Sequence, residues 1–169
     1  QIFFDAFERG RLQQVFKMKA PAKNRTPTRR AGFDAEEYAA LTRYLRSYRD
    51  CVGVFADKRL NAWHKMQRQQ MYYFVLFLAN SGLRVGEARE VRKFVDLNRG
   101  FQIFLKRVPY NERADGLLYD RDGDKRSLYS LRHTYATLRL EKGDVSIYDL
   151  AMNMGCKVAQ IENHYSHVL

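Results

Sequence analysis

The stretch FQIFLKRVPY, Phe101 to Tyr110, decides the fold class of this chain. It reads as the only convincing strand, and Pro109, which has no N–H to give to a ladder, ends its pairing or marks an edge. Everything periodic on either side reads as helix. Upstream, FDAEEYAALTRYLRSYRD (33–50) starts order at Asp34, a helix N-cap with Glu36 and Glu37 in the first turn, where the helix dipole favours acids. Phe33, Tyr38, Leu41 and Leu45 then line one apolar face. A second helix covers about Lys65 to Ala79 and breaks at NSG (80–82), and a third starts near Val85. Downstream, LYSLRHTYATLRLEKG (128–143) is helical up to Gly143, a natural C-cap. SIYDLAMNMG ends at Gly155, and the short VAQIENHY closes on Tyr165. The expected fold is therefore α+β: mostly α-helical, with one small antiparallel β-sheet.

At 169 residues and 46% hydrophobic composition the chain holds one domain with a real core, or one domain and a fragment of another. Its longest apolar run, Met71 to Ala79, is far shorter than the ~20 residues a membrane helix needs, and reads as a buried helix. Cys51 and Cys156 suit a reducing compartment better than a disulfide framework. Thirty Lys and Arg against nineteen Asp and Glu give a net charge of +11. That favours a polyanionic partner, because each cation set on a phosphate releases a condensed counterion. KAPAKNRTPTRR (19–30) has two prolines and no large apolar residue, the composition of a basic linker. Before it, QIFFDAFERGRLQQVF spaces Ile2, Phe3, Phe7 and Leu12 as the last helix of a preceding unit.

Motif chemistry is sparse. SGLRVGE has neither the Walker lysine spacing nor a GxGxxG. His164 and His167 could share a helical face, but no third metal ligand lies near them in sequence. What remains is arginine. Arg84 follows Gly82 at the start of a helix, and Arg132 is flanked by Leu128, Leu131, Tyr135 and Leu138. An arginine in an apolar helix needs an anionic partner, since an unpaired buried charge is costly. That partner is either an internal carboxylate such as Glu87 or a phosphate. Two guanidiniums can clamp the non-bridging oxygens of one phosphodiester and stabilise the charge of a pentavalent transition state. A phenol, with its usual pKa near ~10, becomes a competent nucleophile where cations favour the phenolate, and a covalent phosphotyrosine lets a strand be rejoined without ATP.

With those residues in view, NSGLRVGEAREVRKFVDL resembles the first arginine box of the tyrosine recombinases, the phage-integrase family. LYSLRHTYATLRLEKGDVSIYDLAMNMGCKVAQIENHYSHV resembles its second box running through the nucleophile. The resemblance implies a recombinase catalytic domain over 33–169, a basic linker over 21–32 and, over 1–20, the C-terminal remnant of a helical core-binding domain. It implies site-specific cleavage and rejoining of double-stranded DNA through a 3′-phosphotyrosine, with no metal or cofactor, by protomers in a DNA-bound synaptic assembly such as a tetramer. A cytoplasmic, nucleoid-associated protein of bacterial or phage origin follows from the same resemblance. Tyr165 falls on the nucleophile, Arg84 and Arg132 on the clamp, Glu87 on the acidic support of the first arginine, and His133 on a supporting position. The family's general-acid lysine lies on a β-hairpin, which points to Lys106 on the expected strand, with Lys125 as second choice.

The chain departs from the family pattern at three points. Tyr129 stands where the second box has His, Cys156 stands at the third-box His or Trp position, and only 48 residues separate Arg84 from Arg132. A second reading of the same residues is a DNA-binding module descended from such an enzyme and catalytically impaired. The C-terminal segment carries one more expectation: with few residues after it, Tyr165 is a mobile nucleophile and not a core tyrosine, while Val158 and Ile161 face the core.

Overall fold

The computed structural model describes residues 31–91 and 97–165, so the expected remnant over 1–20 and nearly all of the linker lie outside the described residues. Helix α1 (Ala35–Asp50) starts on a capping box: Asp34 Oδ1 accepts the Glu37 N–H (2.8 Å), and Glu37 Oε2 accepts the Asp34 N–H (3.2 Å). Leu41 and Leu45 are fully buried from its inner face. A 3-10 turn (Gly53–Phe55) drops Phe55 into the core, edge-on to Tyr48 at 5.2 Å between ring centroids.

Helix α2 (Ala62–Ser81) is the central element. It starts on the Asn61 side chain, which accepts the His64 N–H, and it buries Met71, Phe74, Val75 and Leu78 at helical spacing against α1. It stops at Gly82, whose φ of +65° is cheap only for glycine. A Cβ there would lie 2.4 Å from Tyr135 Cδ1. Gly82→Ala is therefore expected to cost at least about 1–3 kcal/mol from the left-handed backbone alone, with overpacking added. Chemical denaturation measures it, and an unchanged midpoint would contradict the close approach.

Helix α3 (Val85–Val91) follows, then α4 (Asn98–Arg107). Here the expectation of a strand fails. Phe101, Phe104, Leu105 and Val108 are all buried, at i, i+3, i+4 and i+7, while Ile103 is 55% exposed. A strand would have put Phe101, Ile103 and Leu105 on one face. The helix wins because it seats Phe104 between Tyr48 (5.1 Å) and Phe55 (5.3 Å) and sends Lys106 and Arg107 to solvent at the negative end of its dipole. Pro109 lies just beyond that helix end, where it costs nothing. Among the described residues no strand or sheet forms, and the fold is all-α rather than α+β. The extended pairing found there is one isolated antiparallel bridge, Tyr119 to Lys125.

Helices α5 (Ser130–Lys142), α6 (Ile147–Asn153) and α7 (Val158–Tyr165) complete the described residues. Gly143, at φ +68°, caps α5, and Ser146 caps α6 through the Asp149 N–H. Leu131 of α5 joins the main core with α1, α2 and α4, whereas Tyr135 and Ala136 join a smaller cluster with Leu150, Ala151, Met154, Ile161 and Tyr165. Helix α5 thus stitches the two clusters together. No described helix is long and apolar enough to cross a membrane.

Candidate active site

The seam between the two clusters gathers most of the residues singled out from sequence. Arg84 sits one residue before α3, and Glu87 folds back on it twice: its carboxylate accepts the Arg84 main-chain N–H (2.8 Å) and Nη1 (2.7 Å). One carboxylate therefore caps α3 and orients the guanidinium. These hydrogen bonds hold the Glu87 carboxyl below the usual range, led by the main-chain N–H, and the Arg132 charge adds to the effect. The Glu87 bond also raises the Arg84 guanidinium, to which Tyr129 and Cys156 contribute by charge. The side chain of Arg84 is 48% exposed, so it is an open group rather than one embedded in an apolar helix.

Arg132 differs. It is 5% exposed in the first turn of α5, and its Nη1 donates to Gly82 O while its Nη2 donates to Met154 O at 2.6 Å. Arg84 Nη2 donates to the next carbonyl, Gly155 O, at 3.1 Å. Two arginines 48 residues apart thus meet consecutive peptides of the α6–α7 turn, with Cys156 beside them. A guanidinium has five N–H groups. Two of the five are used at each arginine, by Glu87 and Gly155 at Arg84 and by Gly82 and Met154 at Arg132.

Tyr165 corrects an expectation. It is 4% exposed, packed in the smaller cluster, and its hydroxyl lies 2.6 Å from His133 Nδ1. It is a core tyrosine in this structure. The reason lies in α6 and the turn after it, whose Leu150, Ala151 and Met154 build the apolar layer that sequence could not place behind it. Ile161 is buried and Val158 packs against the same cluster, as their spacing implied. His133, one residue after Arg132, is the hub: its ring lies 5.3 Å from Tyr129, 6.4 Å from His164 and 5.8 Å from Tyr165. Tyr129 occupies the rim of this group, half-buried just before α5.

Lys106 does not join the group. It is exposed in the last turn of α4, and its ammonium pairs with Asp115 at 3.3 Å, so the strand that recommended it is absent. Lys125 is exposed and sits on the Tyr119–Lys125 bridge. His167 lies outside the described residues, and among those described no cluster of three His, Cys, Asp or Glu could hold a metal ion. Sequence reasoning missed Arg126, which is 1% exposed and bonded to Glu37 at 2.5 Å. Its one local signal is a cation directly before the apolar start of the α5 segment, too weak to single out among thirty. No family model, curated protein or solved structure matches the chain.

Proposed function

We propose that this domain breaks and rejoins double-stranded DNA as a tyrosine recombinase does, with Tyr165 as nucleophile and Arg84 and Arg132 as the phosphate clamp. The observation that most supports this reading is the meeting of both guanidiniums on Met154 O and Gly155 O, while the Tyr165 phenol is bonded to the residue next to Arg132. In this reading His133, in the tautomer whose Nδ1 carries no proton, accepts the phenol proton across their 2.6 Å contact. The phenolate oxygen then forms a bond to phosphorus as the bond to the 5′ oxygen breaks, and that oxygen takes a proton from the Lys125 ammonium or from water. The phosphotyrosine conserves the energy of the diester, so the reverse attack by a 5′-hydroxyl reseals the strand. Arg132 is already held by two carbonyls, so it meets the phosphate with little reorganisation. The phenol, by contrast, must leave its seat in the core to reach a phosphate held there. Other protomers on the same DNA complete the assembly, and the setting is a bacterial or phage nucleoid.

A nicked suicide substrate built from repeats in the DNA flanking the gene tests this. An SDS-resistant, protease-sensitive protein–DNA adduct is expected. Arg84→Ala and Arg132→Ala should each slow its formation by about 10²–10³, the scale of losing one oxyanion donor. Rates within a factor of a few of the parent protein would remove the clamp.

The second reading, a DNA-binding module without catalysis, is favoured by Tyr129 at the family's His position and by the burial of both Arg132 and Tyr165. A band shift with no adduct on the suicide substrate would decide for it. Both readings share one expectation drawn from the charge of +11. If six to ten phosphates are contacted, affinity falls by about 10³–10⁵ between 50 and 200 mM salt. A flat salt profile would exclude both.

A further inference from the structure

At the other end of α2, about 21 Å along the helix from Gly82 at 1.5 Å per residue, a cleft of about 340 Å³ opens between α2, the end of α1 and the start of α4. That volume is at the lower end of small-molecule sites. Its most informative wall is Arg68, which is 6% exposed. Arg68 Nη1 donates to Phe55 O (2.8 Å) and Tyr48 O (3.3 Å), and the guanidinium stacks 4.3 Å above the Tyr48 ring. Tyr48 O belongs to the last turn of α1, so Nη1 answers the negative end of that helix. No carboxylate pairs with Arg68 among the described residues, and its Nε and Nη2 have no protein acceptor there. A buried guanidinium without a counter-charge is expensive.

The rest of the lining fits an anion with an apolar body. Arg59, His64 and Gln67 stand at the mouth, and Met71 offers an apolar wall. His64 Nδ1 donates to Asn61 Oδ1 at 2.8 Å, so it is the imidazolium form of the ring that presents a second N–H to an anion. Asp57 is the one acid of the lining, and its Oδ1 is occupied by the Arg59 main-chain N–H at 2.9 Å. We propose that this cleft binds a small organic oxyanion, a phosphate or carboxylate head on a compact apolar body, with Arg68 as the buried counter-charge and Arg59 and His64 closing on the head. The site is separate from the arginine–tyrosine group and holds whether or not that group cleaves DNA.

The experiment uses the whole chain. Trp63, its single tryptophan, touches the cleft only through His64, edge-on at 5.0 Å, so binding is read by isothermal titration calorimetry in every variant. Phenyl phosphate and benzoate should give saturable heats, whereas neutral benzyl alcohol should give none. Arg59→Gln and His64→Gln change exposed side chains without touching the core, and each should weaken binding about tenfold, as for one lost charge-assisted hydrogen bond. Absence of saturation by either anion up to ~50 mM, an affinity weaker than millimolar, would overturn the site. So would equal binding of benzyl alcohol, or affinities unchanged in both variants. Displacement of phenyl phosphate by stoichiometric duplex DNA would reassign the cleft to a nucleic-acid backbone and overturn a small-molecule site as well.

Discussion

Tyr165→Phe is expected to abolish the covalent DNA adduct while folding and DNA binding survive. The change removes one oxygen and almost no volume, so the packing of the ring against Leu150, Ala151 and Met154 is kept. What is lost from the folded state is the 2.6 Å hydrogen bond to His133, a net cost of about 0.5–1.5 kcal/mol. That is a modest part of the ~5–15 kcal/mol typical of a domain. Phosphate binding, as proposed, draws on Arg84 and Arg132, which the substitution does not touch. The proposed chemistry, however, loses the one oxygen that would bond to phosphorus. A Phe variant that still forms the adduct would assign the nucleophile elsewhere and overturn this reading of the C-terminal helix. A Phe variant that fails to fold would show that the hydroxyl serves the core first. His133→Ala separates base from nucleophile: it should slow the adduct without eliminating it, because water can still accept the phenol proton.

The parts of this fold that were legible in the sequence are the parts decided locally. Asp34 and Glu37 form their capping box within one turn, and Gly82 and Gly143 adopt the left-handed conformations that end their helices. Those choices depend on neighbours three or four residues away. Phe101 to Tyr110 is different. Ten residues with apolar groups at 101, 103, 104, 105 and 108 satisfy both a strand and a helix. The choice falls to whichever of Ile103 and Phe104 finds a core. Tyr48 and Phe55 supply that core for Phe104, from segments some fifty residues earlier.

The candidate site divides the same way. The neighbourhood of Arg84 and Glu87 is a helix start, readable from spacing alone. The meeting of Arg84 with Arg132 follows from the α6–α7 turn reaching both, which only the fold supplies. Lys106 was tied to a strand, so its assignment fell with the strand. The burial of Tyr165 was hidden because its covering layer comes from α6, whose apolar residues carry no mark of their destination.

Glu37→Gln is expected to destabilise the protein by about 3–5 kcal/mol, the cost of leaving the buried Arg126 without its counter-charge, and Arg126→Met by somewhat less, because Arg113 Nη1 stays 3.8 Å from Glu37 Oε1. The pair is sealed: Arg126 is 1% exposed and Glu37 2%, at 2.5 Å. Arg126 also donates Nε to Gly32 O (2.8 Å) and Nη1 to Leu117 O (3.2 Å) and Tyr119 O (3.1 Å), and it stacks 4.4 Å over Phe33. One side chain therefore ties the start of α1 to the loop between α4 and α5, four residues before α5 begins. Glutamine at position 37 can still accept the Asp34 N–H, so the capping box is kept and only the charge is lost. Glu37→Ala loses both and should cost about 1 kcal/mol more. The double variant Glu37→Leu/Arg126→Met removes both charges, and most of the loss should return, because two well-packed apolar groups can replace a buried pair. Three carbonyls then lose their donor, which keeps the recovery incomplete. Urea denaturation of the parent and the four variants measures each step. Single variants within about 1 kcal/mol of the parent would mean that water reaches the pair, and a double variant worse than either single would make the carbonyl contacts, rather than the charges, the stabilising element.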